Sequence, residues 1–199
     1  MKILAFSDLH RNREMATKIV QASSAADVVV GAGDFGTQGL GVSDTIDILR
    51  EITVPIIIVS GNHDRLNILR NLCLDWKNCH LLHGAAVSVG GVVFFGLGYE
   101  IPKRLNTEWN QYLSDEEAAV SLSLCPHRAI LVTHTPPIDH CDLQRDGSHE
   151  GSESIRNTIE LRSIKLHLCG HIHHSWGTTS IFKDCIIQNL GPTINWFDV

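Results

Sequence analysis

Three short runs constrain the first third of the chain more than anything else in it. Residues 2–7 (KILAFS), 27–33 (DVVVGAG) and 55–61 (PIIIVSG) are nearly unbroken stretches of aliphatic side chains. A strand with one face in water alternates apolar with polar, so a run without alternation is buried on both faces, as in parallel sheets. Helical patterns fill the gaps between the runs. Met15, Ala16, Ile19 and Val20 recur at helical spacing, and Asp44 to Ile52 follow Ser43, the expected N-cap. Strand, helix, strand, helix, strand is a crossover pattern, and such crossovers generate parallel strands covered by helices.

The second half reads differently. Residues 86–98 (AVSVGGVVFFGLG) form two strand patterns around Gly90 and Gly91, and residues 177–191 form another pair around Lys183 and Asp184. Single strands are expected at 129–133 and 164–169, with helices at 114–124 and 152–162. A parallel half followed by a half rich in hairpins implies two sheets rather than one. The expected fold class is α/β, a four-layer α/β/β/α sandwich of two mixed β-sheets flanked by helices. With 199 residues and 43% hydrophobic content, the chain can close one sizeable core, so a single domain over residues 1–199 is expected. The longest irregular stretch, 134–152, exceeds an ordinary connection and is a candidate active-site loop.

Charge excludes some roles. The net charge is −6 and the 16 lysines and arginines are scattered, so no basic stripe marks a duplex nucleic-acid footprint. No run approaches the ~18 apolar residues of a membrane span, and the first residues read as a strand rather than a signal segment. A soluble, cytoplasmic protein is expected, either a monomer or a small homo-oligomer. The six cysteines form no C-x-x-C pair and are expected to be reduced and mostly buried.

The strands share a habit at their carboxyl ends. The first runs into Asp8 and His10, the second into Asp34, the third into Asn62, His63 and Asp64. The strand at 129–133 ends in His134, and that at 164–169 runs into His171, His173 and His174. Loops at the carboxyl ends of parallel strands converge on one crevice. Asp, His and Asn supply hard oxygen and imidazole nitrogen, suited to Mn, Fe or Zn, with no thiolate in the set. The i, i+2 spacing of Asp8 with His10 and of His171 with His173 projects each pair to one side of an extended backbone. Paired metals in hydrolytic sites lie ~3.5–4 Å apart, close enough for one carboxylate to bridge. Asp34, the only charged residue of its loop, is the candidate bridge.

The order D-x-H (8–10), G-D (33–34), G-N-H-D (61–64), a lone His134 and G-H-x-H (170–173) resembles the calcineurin-like metallophosphoesterase superfamily, and the motifs cover most of the chain. The resemblance implies one divalent metal held by Asp8, His10, Asp34 and His173. It implies a second held by Asp34, Asn62 through its amide oxygen, His134 and His171. Manganese is favoured, with iron and zinc as the other choices. A hydroxide bridging the metals would attack phosphorus in line. His63 would face the departing oxygen, with Asp64 orienting its imidazole, and Gly61 and Gly170 would let the backbone turn tightly beside the ions. Asn62 and His63 would thus also meet the substrate.

The family often follows D-x-H with Gly-Asn, whereas here Arg11 precedes Asn12. Arg11 is therefore a candidate contact to substrate phosphate, and His140, in the long loop, a second. His80, His83, His127 and His149 fit turns or surfaces. Trp176 fits packing better than stacking on a base, and Trp196 and Phe197 are expected to pin the C-terminus to the core. Within the cluster at 167–174, Gly170 ends the strand, which leaves His167 in the sheet, and His174, of the wrong parity for the pair, is expected to face solvent or the rim.

The expected function is a dinuclear-metal phosphodiesterase acting on a small phosphodiester such as a cyclic nucleotide. The alternatives are a phosphomonoesterase or protein phosphatase of the same family, a nuclease, and a non-catalytic metal-binding scaffold. A scaffold would have lost ligands, and here none of the motif's is missing.

Overall fold

The computed structural model describes all 199 residues. Strands β1 (Lys2–Phe6), β2 (Val28–Gly31), β3 (Ile56–Ile58) and β4 (Cys79–Leu81) alternate with helices α1 (Arg13–Ser23), α2 (Ser43–Leu49) and α3 (Leu66–Cys73). Then follow β5 (Ala85–Val89), β6 (Val92–Leu97), α4 (Asp115–Leu122), β7 (Ile130–Thr133), α5 (Glu153–Leu161) and β8 (Leu166–Cys169). A 3-10 turn (His173–Ser175), β9 (Thr179–Phe182), β10 (Cys185–Asn189) and β11 (Asn195–Asp198) complete the chain. One sheet runs β11-β1-β2-β3-β4, the other β5-β6-β7-β8-β10-β9. Both are mixed. β1 to β4 are parallel with β11 antiparallel on β1, while β6, β7, β8 and β10 are parallel between the hairpin partners β5 and β9.

Alternate residues of each strand serve different cores. Ile3, Ala5, Val28, Val30, Ile57 and Val59 face Phe94, Ile130, Val132, Leu166 and Leu168 between the sheets. Their neighbours Leu4, Phe6, Val29, Ile56 and Ile58 face outward onto Ile19, Ile46 and Leu69 of α1 to α3. On the far side, Phe95, Leu97 and Leu131 meet Ala118, Leu122, Ile155 and Ile159 of α4 and α5. This is why the first three runs show no alternation: a strand in the middle of a four-layer stack has no wet face. Each fully buried Ile, Leu, Val or Phe contributes roughly 1.5–3 kcal/mol, so the stack sets the position of every strand end.

Some elements go beyond those expected. α3 and β4 fall where no element was expected, and β11 is a strand rather than only a packed terminus. Ser43 is not an N-cap. It is the first helical residue of α2, and Val42, buried against the outer core, precedes it with no side-chain cap bond. Packing rather than capping starts that helix. All six cysteines are free thiols, three of them buried and three half-buried.

Candidate metal centre

The carboxyl ends of β1, β2, β3, β6, β7 and β8 meet at one rim. There Asp34 is the hub: its Oδ2 lies 3.3 Å from His134 Nε2, 3.5 Å from His10 Nε2 and 3.9 Å from His63 Nε2. Asp8 Oδ1 lies 3.9 Å from His10 Nε2 and 3.8 Å from His173 Nε2, and the Nε2 atoms of His10 and His173 are 3.1 Å apart. Asn62 Oδ1 is 3.1 Å from His134 Nε2. His171 sits beside His134, ring centroids 4.9 Å apart. Seven candidate ligands spread over 166 residues are thus brought together, with His63 next to them.

The pairs converge for a reason other than strand alternation. Asp8, His10, Asp34 and His171 all have positive φ, between 43° and 69°, and His173 begins the 3-10 turn. These segments are left-handed turns, not extended backbone. Left-handed backbone is costly for residues with a Cβ, and such strain gathers at functional sites. Gly61 and Gly170 also play a part different from the expected tight turn, since neither has positive φ. A Cβ on Gly61 would lie 1.9 Å from Asp34 Oδ1, and one on Gly170 would lie 2.3 Å from Asp8 Oδ2. Glycine is required because a carboxylate passes there.

Hydrogen bonds sort the imidazoles by role. His134 donates from Nδ1 to the Ala32 carbonyl at 2.8 Å, and His10 donates from Nδ1 to the Gly36 carbonyl at 3.2 Å. A carbonyl only accepts, so in each neutral ring the proton is on Nδ1 and the Nε2 lone pair points at the carboxylates. Lone pairs and carboxylate oxygens converging on one focus repel unless a cation sits among them. In the protein alone that focus draws a proton. Burial works against a charged His134, but the facing Asp34 carboxylate outweighs it and raises its pKa to about 10. Burial would likewise raise Asp34, and the surrounding imidazoles instead hold it well below the ordinary carboxylate range. Asp8, His10 and His173 form one compact set of possible metal donors, and Asp8, Asp34 and His134 another. The donor chemistry fits hard or borderline divalent cations.

His63 has the opposite polarity. Its Nδ1 accepts from the Gln38 backbone N–H at 2.7 Å, so the neutral ring carries its proton on Nε2, facing Asp34. In that tautomer it offers the site a donor rather than a lone pair, although its ring nitrogen lies within a third compact set with His10 and Asp34. Burial, followed by the neighbouring histidines, lowers its pKa despite Asp34. Its ring lies flat on Trp109, with centroids 4.4 Å apart and planes at 26°. Asp64 does not orient it. The buried Asp64 carboxylate accepts from the backbone N–H groups of Gly36 (2.9 Å), Gly61 (2.9 Å) and Phe35 (3.2 Å), tying the loop of Asp34 to that of Asn62. Burial and the Asp34 charge push its pKa up to about 6. The partners that hold His63 are Gln38 and Trp109, neither marked by a motif.

The pocket over these atoms has a volume of about 280 Å³ and is lined by Asp34, Asn62, His63, Leu105, Gln144, His171 and His173. The long loop 134–152 contributes Gln144. Arg11 and His140 are not brought there. Arg11 turns away to pair with Asp44, Nε to Oδ2 2.9 Å, at the start of α2. His140 packs on Phe182, with its Nδ1 3.3 Å from Ser180 Oγ. His167 is buried in β8 and bonds Thr133, while His174 is exposed. Trp176 lies against His173, centroids 4.0 Å apart.

Glu100 is the residue the motifs missed. It is 2% exposed and places Oε1 3.6 Å from His171 Nε2. The signal that marked the other sites was present, since β6 is an apolar run followed by Gly98, Tyr99 and a carboxylate.

Comparison with known proteins bears on the fold and the family. The chain is 26% identical to a UPF0046 protein of Caenorhabditis elegans, covering 90% of this chain and 66% of the relative. It is also 26% identical to the human serine/threonine-protein phosphatase CPPED1, covering 68% of this chain and 47% of that one. The chain therefore spans only about half to two thirds of the length of these relatives. Its fold matches the crystal structure of TT1561 of Thermus thermophilus with a TM-score of 0.74 at 18% identity, over 99% of this chain and 98% of that one. The family model of the calcineurin-like phosphoesterase superfamily domain matches residues 1–194, and with that match the chain belongs to the calcineurin-like phosphoesterase superfamily.

Proposed function

We propose that the chain is a metal-dependent phosphoesterase that hydrolyses a small phosphodiester. In this reading Asp8, His10, Asp34 and His173 hold one divalent cation, and Asp34, Asn62, His134 and His171 the other, manganese being the favoured metal. When bound, such a pair generates a nucleophile from water near neutral pH and offsets charge on the phosphoryl oxygens. The chain's own residues do the rest. The Ala32 and Gly36 carbonyls keep His134 and His10 in the tautomer that offers Nε2. Asp64 holds the two loops in register, so that Asp34 and Asn62 keep their spacing. His63, protonated on Nε2 and braced by Gln38 and Trp109, donates a hydrogen bond to the departing or a phosphoryl oxygen. Preorganised donors of this kind contribute roughly 10²–10³ in rate.

The observation that carries the preference for diesters is the lining of the pocket. It contains no lysine or arginine, so no side-chain cation is available for the second negative charge of a monoester. A diester carries one charge fewer. The size of the pocket favours a small substrate such as a cyclic nucleotide. The phosphatase name of the human relative favours the second reading, a phosphomonoesterase or protein phosphatase. The free thiols suit a reducing compartment such as the cytoplasm, and no helix is long and apolar enough to cross a membrane. A panel of bis-aryl phosphodiester, aryl monoester and 2′,3′- and 3′,5′-cyclic nucleotides, run with Mn, Fe and Zn, tests the proposal. Faster turnover of the monoester than of every diester would refute the diester reading, and inertness towards all of them would refute the enzyme.

A further inference from the structure

Resting on the two-metal reading above, we propose that Glu100 is a positioning residue: through two amides it sets Asn62 with its oxygen towards the metal, and it ties that ligand to the order of segment 104–110 beside the pocket.

An asparagine amide has two orientations of nearly the same shape, and only its hydrogen-bond partners distinguish oxygen from nitrogen. Asn62 can hold a cation only with Oδ1 inward, so something must choose that orientation. Its Nδ2 donates to Asn110 Oδ1 at 2.9 Å. Asn110 is an amide too, with the same ambiguity, and it is settled at the other end. Asn110 Nδ2 donates to Glu100 Oε2 at 2.5 Å and to the Leu105 carbonyl at 3.0 Å. A carboxylate only accepts, so Asn110 must turn its NH2 to Glu100. Its oxygen then faces Asn62, and the oxygen of Asn62 faces His134. Two acceptor-only groups at the end of the relay, the Glu100 carboxylate and the Leu105 carbonyl, orient both amides. The same carboxylate reaches a second ligand directly, since Oε1 lies 3.6 Å from His171 Nε2. A carboxylate on one nitrogen of a histidine favours the N–H there and frees the other for metal.

Glu100 also shapes the loop over the pocket. Its Oε2 takes the backbone N–H of Arg104 at 3.0 Å and of Leu105 at 3.5 Å, and its backbone pairs with Gln111 and Leu113. The Gln111 N–H in turn donates to the Asn62 carbonyl at 2.9 Å. The enclosed segment delivers Leu105 to the pocket and Trp109 to His63. Glu100 thus ties the order of segment 104–110 to the orientation of Asn62 and His171.

Glu100→Gln is the discriminating substitution because it keeps shape and volume but withdraws the charge and one acceptor: its one oxygen stays on the backbone N–H groups of Arg104 and Leu105, and its NH2 faces His171 Nε2, where the carboxylate favoured an N–H. Metal-free protein is titrated with Mn²⁺, following free ion by EPR and bound ion by elemental analysis, and trypsin cleavage after the exposed Arg104 is timed with and without the metal. Wild type should take two ions, and Mn²⁺ should slow the cut. Glu100→Gln should bind one ion within about twofold of wild type and the other roughly 10–100-fold more weakly, with cleavage no longer slowed. Asn110→Ala, which breaks the relay without touching the carboxylate, should show the same selective loss, and covers the case in which Glu100→Gln fails to fold. Should wild type take fewer than two ions, the two-metal reading falls and the relay with it. Two ions bound by wild type with unchanged affinities in both single variants, or equal weakening of both ions, would overturn the relay alone.

Discussion

His167 offers a test of the fold that is independent of the metal centre. It is fully buried in β8, its Nε2 lies 2.7 Å from Thr133 Oγ1, and its Nδ1 has no partner. Thr133 donates its own proton to the Thr135 carbonyl at 2.6 Å, so it accepts from His167, whose proton is on Nε2. A second proton would create an imidazolium in an apolar layer. Burial alone lowers its pKa to about 3, against ~6.5 in the unfolded chain. A histidine kept neutral by the fold contributes its full stability above the unfolded value of ~6.5. That contribution is lost as pH falls from there towards about 3, because the unfolded state binds the proton first. Between those limits the loss is about 1.4 kcal/mol per pH unit, or about 2 kcal/mol at pH 5 and about 3 kcal/mol at pH 4.

The assay is urea unfolding of metal-free wild type and His167→Gln at pH 7.5, 6, 5 and 4. Gln still donates to Thr133 but does not titrate in this range. Whatever it costs at pH 7.5, the gap between the two proteins should move in favour of the variant by about 2 kcal/mol at pH 5, or about 5 °C in melting temperature for a chain this size. Titrations of Asp34, His134 and the other rim groups are common to both proteins and cancel in the difference. Parallel curves from pH 7.5 to pH 4 would refute the reasoning and mean that His167 is solvated in the fold. The variant should also keep both ions, since His167 lies on the helix side of the sheet.

Other consequences concern the rim. Gly61→Ala places a methyl where Asp34 Oδ1 passes. Because Asp34 would serve both positions in the proposed two-metal site, elemental analysis should find both ions lost, and retention of both would disprove the close approach. Asp64→Asn withdraws a charged acceptor from backbone N–H groups of two loops and should cost about 2–3 kcal/mol in urea unfolding. A neutral result would mean that the loops hold their register without it. His63→Ala should cut turnover of a reactive diester roughly 10²-fold or more with metal content unchanged, whereas loss of an ion would make His63 a ligand. His174→Ala, alongside it, should leave both quantities as they are.

The sandwich and most of the rim were legible because burial in a layered fold writes itself directly into the sequence. The runs at 2–7, 27–33 and 55–61 lack alternation since each strand has a core on both faces, and Asp8, Asp34, Asn62 and His134 each follow an apolar strand. α3 carries a helical repeat that went unread, with Leu66 buried and Leu69, Leu72 and Cys73 facing the outer core, whereas β4 was not legible, being three half-buried residues with no apolar run. The spacing of Asp8 with His10 suggested the right neighbours for the wrong reason: left-handed turns, not strand alternation, turn the side chains together. Roles were harder to read than places. Asp64 follows His63 directly, yet its carboxylate holds three backbone N–H groups, while His63 is held by the backbone of Gln38, which no side-chain pattern reveals. His10, His63 and His134 are chemically identical in the sequence. They diverge because two of them donate to carbonyls and one accepts from an N–H, and that choice belongs to backbone groups of other loops. Glu100 is the converse case, legible as a carboxylate closing an apolar strand but without a motif to join. What makes it matter is that a carboxylate can only accept. The orientation of Asn62 follows from that constraint two residues away through space, and the same carboxylate faces Nε2 of His171, which is why exchanging one oxygen for an NH2 at position 100 is expected to weaken a proposed metal position that the residue does not line.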